Sequence, residues 1–84
     1  MNMKKELINK IEDFVDTHGG MLMPDVTISL GKVVSVMVDY VCSSVEVQII
    51  TNADEGGEYP DTYVGAESLP VEDLEKIYGA LLSE

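Results

Sequence analysis

A single cysteine, Cys42, stands among the 84 residues, so no disulfide can close within the chain. Secreted domains of this size are commonly stapled by disulfides, and the lack of a partner thiol favours a reducing, cytoplasmic setting. Tryptophan is absent, and aromatics amount to Phe14 and four tyrosines. Proline occurs only three times, with no biased or repetitive tract, which excludes Pro-rich and collagen-like architectures. No apolar run approaches the roughly 20 residues that cross a bilayer. After Met1-Asn2-Met3-Lys4-Lys5, the residues Glu6, Asn9, Lys10, Glu12 and Asp13 interrupt any apolar leader core, so no signal peptide is expected.

Positive charge is the scarcest commodity. Five basic residues face sixteen acidic ones, a formal net charge of −11. Without a basic patch, direct binding to nucleic-acid phosphates or to an anionic membrane is disfavoured. The imbalance is uneven. Residues 1–50 hold four lysines against seven acids, and residues 51–84 hold Lys76 against nine acids, balances of −3 and −8. High charge goes with disorder only where hydrophobicity is low. Here 45% of residues are apolar, and they are patterned. One folded domain spanning 1–84 is expected, with a stability of roughly 4–13 kcal/mol at the usual per-residue value.

Residues 3–18 carry a helical period. Met3, Leu7, Ile8, Ile11, Phe14, Val15 and His18 share one face, and Lys5, Glu6, Lys10, Glu12 and Asp16 the other. Lysines at its start and acids near its end oppose the macrodipole, so packing must hold this helix. Gly19-Gly20 ends it by offering a left-handed cap.

Beyond Pro24-Asp25 the period becomes two. Val26, Ile28 and Leu30 form one run, Val34, Val36, Val38 and Tyr40 a second, and Val45, Val47 and Ile49 a third. Three alternating, β-branched runs predict an antiparallel meander with one buried face. At the first corner, a three-residue loop of Gly31-Lys32-Val33 pairs Leu30 with Val34, Ile28 with Val36 and Val26 with Val38. A bulge could correct the faces equally well. At the second, a two-residue turn at Cys42-Ser43 pairs Tyr40 with Val45, Val38 with Val47 and Val36 with Ile49. That register sets Asp39 opposite Glu46, like charges that repel. Tyr63-Val64 is a candidate fourth strand.

The last helix starts after Pro70. Leu69 and Leu74 occupy the positions of a hydrophobic staple, Glu72 and Asp73 complement the dipole, and Leu74, Ile77, Tyr78, Leu81 and Leu82 form its stripe. The expected fold is α+β, in the order α-β-β-β-(β)-α. A three- or four-stranded antiparallel meander carries both helices on one face.

Chemistry-bearing motifs are few. His18, the sole histidine, closes the first helix and reads as a helix-end packing residue rather than a catalytic base. Cys42 has no neighbouring cation to lower its pKa and reads as an inert thiol. Walker-type loops, dinucleotide fingerprints and paired Cys/His metal spacings are absent, so neither an enzyme nor a cofactor is expected. The segment 52–61 loosely follows a calcium loop, with Asn52, Asp54 and Glu58 as ligands and Gly57 at its sixth position. It departs at Gly56 and at Tyr63, where the bidentate glutamate belongs.

Two functions remain. The first is a non-catalytic interaction or regulatory domain whose acidic stretch 52–76 meets a basic protein surface. Its candidate contacts are Asp54, Glu55, Glu58, Tyr59, Asp61, Glu67, Glu72 and Asp73. The alternative is a divalent-cation module built on loop 52–61 or on the Asp39/Glu46 pair. The segment Leu69-Pro70-Val71-Glu72-Asp73-Leu74-Glu75-Lys76-Ile77-Tyr78, with the meander before it, resembles small acidic orphan proteins of gut-bacterial mobile elements and phages. That resemblance implies a genomic context and carries over no functional residue.

Overall fold

The computed structural model describes residues 2–41, 44–52 and 61–83. Helix α1 (Met3–Thr17) begins at Asn2, whose side-chain oxygen accepts from the Lys5 amide. Its end is a Schellman closure: the Gly20 amide donates to Val15 O at 2.8 Å and the Gly19 amide to Asp16 O at 3.3 Å. Both glycines sit at positive φ, 101° and 91°, where a Cβ would be strained. The apolar stripe is only partly used. Ile11 and Val15 are fully buried, and Leu7, Ile8 and Phe14 pack beside them. Met3 and His18, at its two ends, overrun the core and are exposed.

Among the described residues five antiparallel strands follow, one more than the longest reading of the sequence. β1 (Met21–Leu22) and β2 (Val26–Ile28) both pair with β3 (Gly31–Val41). They form one interrupted edge, broken at residues 23–25, where buried Pro24 has no N–H to give. β4 (Ser44–Asn52) pairs with β3 and with β5 (Asp61–Gly65). A 3-10 turn at Ala66–Ser68 leads to α2 (Val71–Leu82).

The second hairpin has the expected register, with Val36 opposite Ile49, Val38 opposite Val47, and Asp39 opposite Glu46. The first differs. Val26 pairs with Val33 and Ile28 with Gly31, so the turn is the two residues Ser29-Leu30, not the three-residue Gly31-Lys32-Val33 loop. The cause is a bulge in β3 between Val33 and Ser35. The extra residue inverts the alternation, so Val33 joins Val36 and Val38 on the buried face while Val34 is only half-buried. Leu30, expected inward, lies at the turn and is 40% exposed.

Both helices cover the same face of this sheet, making an α+β fold of two layers. Ile11 and Val15 of α1 and Leu74, Ile77 and Leu81 of α2 meet Ile28, Val33, Val36, Val38, Val47 and Ile49 of the strands. Leu69 and Leu74, flanking the Pro70 N-cap, are both buried in this cluster, as a staple requires.

Candidate functional site

The sequence places its candidate contacts in 52–76, and the fold separates them. Asp54, Glu55, Glu58 and Tyr59 lie outside the described residues, as do Cys42 and the body of the calcium-like loop. Asp61 opens β5 with its backbone paired to Asn52. The calcium-like segment therefore connects two antiparallel strands rather than two helices, and Tyr63, its twelfth position, is a strand residue. Among the described residues, no group of three or more His, Cys, Asp or Glu is placed to hold a metal ion.

Glu67 on the 3-10 turn and Glu72 in the first turn of α2 are exposed. Asp73 is not. It is only 3% exposed, and its carboxylate accepts from the Ser29 amide at 3.3 Å and from the Ser29 hydroxyl at 2.5 Å. Asp73 therefore leaves the set of surface contacts. It stands at the third position of α2, where buried Leu69 and Leu74 draw the helix onto the sheet, and the turn between β2 and β3 closes over it. A buried charge needs such donors, and Ser29 supplies them.

The outer face of the sheet, opposite the helices, holds what the alternation pattern obscured. Across one row Met21 stands opposite Met37, and Met37 opposite Gln48. In the next row Ser35 pairs with Ile50, and Ile50 with Tyr63. Met21 is 50% and Tyr63 66% exposed, and Met37 and Ile50 are half-buried. Met37 and Ile50 were the signal available in the sequence, since both are apolar at positions where the strands otherwise alternate to polar residues. At one end of this band the Asp39 carboxylate accepts from Gln48 Nε2 at 2.8 Å, which partly offsets its opposition to Glu46. At the other end Lys32 is paired with Asp25 at 3.2 Å.

His18 stacks on Phe14 with ring centroids 4.3 Å apart, and Phe14 meets Tyr78 edge-on at 6.5 Å. His18 Nδ1 lies 2.7 Å from the Phe14 carbonyl, to which only an N–H can donate. Thr17 beside it gives its hydroxyl to the Asp13 carbonyl. Both polar groups are turned back onto their own helix, an arrangement suited to ending α1.

A groove of about 570 Å³ runs between the start of α1 and the 3-10 turn, lined among others by Lys4, Lys5, Glu12 and Glu67. Lys4 Nζ donates to the Glu67 carbonyl. With both signs of charge on its walls, the groove selects neither anions nor cations. No described helix is long and apolar enough to cross a membrane. Comparison with protein-family models, curated proteins and solved structures finds no match for the chain.

Proposed function

We propose that this chain is a non-catalytic protein-interaction or regulatory domain whose acidic surface, drawn from residues 52–76, meets a basic protein partner. The observation that carries this reading is the distribution of charge. Eight of the eleven net negative charges fall in residues 51–84. Of the acids described there, Glu67, Glu72 and Glu75 are all exposed. Exposed carboxylates that outnumber the neighbouring lysines create a field that steers a basic partner and speeds its encounter. An inhibitor of a basic toxin or nuclease, and a mimic of DNA phosphates, are the two forms such a domain would take. The same reading sets it in a bacterial cytoplasm, as its lone cysteine and its resemblance to mobile-element proteins suggest.

Affinity capture from native lysate tests this. The retained partners should be basic, should elute as sodium chloride is raised, and should be lost when Glu67→Lys and Glu72→Lys are combined. Specific partners that are acidic, or that stay bound equally well at high salt, would overturn the reading.

A further inference from the structure

We propose that the open face of the sheet, centred on Met21, Met37, Ile50 and Tyr63, is the seat of a cationic amphipathic helix supplied by the partner. This rests on the reading of the chain as a domain for a basic protein, and it names where contact is made. The acids of 52–76 give long-range attraction, and the sheet face gives the contact.

The face has the composition of a binding surface. Two methionines, an isoleucine and a tyrosine occupy two neighbouring rows across four successive strands, with Met21 and Tyr63 at least half exposed. Methionine adapts its shape to a partner, and tyrosine gives area with a polar tip. Four strands at about 4.8 Å spacing span about 14 Å from β1 to β5, close to the 10–12 Å diameter of a helix.

Charge decides the occupant. Asp39 borders the apolar band at the end near residues 42–43, and exposed Asp25 at the other. The one lysine whose register places it on this face, Lys32, is ion-paired with Asp25. A second copy of the chain would bring another −11 against the first and set the Asp39 carboxylates near each other. An anionic lipid surface is repelled for the same reason. A helix with lysines beside an aliphatic stripe satisfies both the apolar centre and the Asp39 end, and the chain's net charge of −11 favours its approach.

The probes are two synthetic peptides of equal lysine content. One places leucines along a helical face, and the other carries serine in place of each leucine. Methyl resonances of the methionines report the site, with Met3, exposed on α1 behind the sheet, as the internal control. At low salt the leucine peptide should shift Met21 and Met37 and leave Met3 in place. The variant combining Met21→Ser and Tyr63→Ser alters two exposed positions and keeps the core, and it should weaken this peptide about tenfold. The serine peptide should bind about tenfold more weakly than the leucine peptide to the unaltered protein.

Equal binding of both peptides, with shifts at Glu67 and Glu72 and none at Met21 or Met37, would overturn the seat and leave the proposed function standing. Shifts at Met21 and Met37 that follow protein concentration without peptide would assign the face to self-association instead. Binding of neither peptide at low salt would overturn the seat and the proposed function together.

Discussion

Asp73 joins two elements through one carboxylate. It lies in the first turn of α2, and its oxygens hold the amide and hydroxyl of Ser29 in the turn between β2 and β3. Truncation would leave the Ser29 amide without its acceptor and open a small void beneath it. Hydrogen bonds to charged groups are worth about 1.5–3 kcal/mol each way they are measured, so Asp73→Ala should cost about 2–3 kcal/mol in urea unfolding. Ser29→Ala removes only the hydroxyl and leaves the amide bond, so it should cost about 1.5 kcal/mol, less than Asp73→Ala. Glu72→Ala, one residue away and exposed, should stay within about 1 kcal/mol of the parent. An Asp73→Ala chain as stable as the Glu72→Ala chain would mean the carboxylate does not hold the turn. Thr51 presents the reverse case. It is fully buried on β4, and its hydroxyl finds no partner among the described residues. Thr51→Val keeps the shape and removes the stranded polar atom, so it should raise stability by up to about 1 kcal/mol. A loss on that substitution would show that the hydroxyl is satisfied.

The β-bulge in β3 is the element-scale feature on which the buried face depends. Before it the inward position is Val33, and after it Val36 and Val38. Val33→Ala would therefore remove two buried methyl groups and should cost about 2–3 kcal/mol, whereas Val34→Ala at a half-buried site should cost about 1 kcal/mol or less. The reverse order, measured by chemical unfolding, would restore the uninterrupted alternation that the sequence suggests. Much of the fold was legible because periodicity is a direct record of which side is buried. The helix read at 3–18 and found at 3–17, and the register of the β3–β4 hairpin, follow from it, while the glycine closure and the staple around Pro70 follow from residue type at the helix ends. The first hairpin was legible only in part: a bulge was one of the two corrections that the pattern allowed, but neither its place in β3 nor the turn at Ser29-Leu30 could be read. A bulge changes parity without changing composition, and Val33-Val34 offers two equal candidates for one inward place. β1 escaped for a different reason, since two residues cannot display an alternation. At the surface, Glu67 and Glu72 could be read as exposed from their polarity alone. Asp73 could not, because its burial depends on a serine 44 positions earlier in the chain. The apolar outer band needed four strands in register before its members became neighbours.

For the whole molecule, the decisive quantity is a net charge of −11 confined to a body with a radius of gyration of 12.2 Å. At about 0.01 M ionic strength the screening length is about 30 Å, so every carboxylate feels the others across the fold. Unfolding moves these charges apart, so their repulsion weighs against the native state and salt should relieve it. Raising sodium chloride from about 0.01 to 0.3 M should stabilise the protein by about 1 kcal/mol, a rise of roughly 4–8 °C in Tm for a domain of this size. Reversing two exposed acids tests the cause. Glu67→Lys with Glu75→Lys changes the formal charge by +4, from −11 to −7, and touches no buried contact. This variant should melt higher than the parent at low salt, and the two should converge as salt is added. It should also bind a basic probe more weakly, because the field that burdens folding is the one that attracts the partner. A variant whose advantage persists undiminished at high salt would be stabilised by something other than relieved repulsion. A parent chain whose Tm is flat or falls with salt would show that its carboxylates are already compensated in the fold.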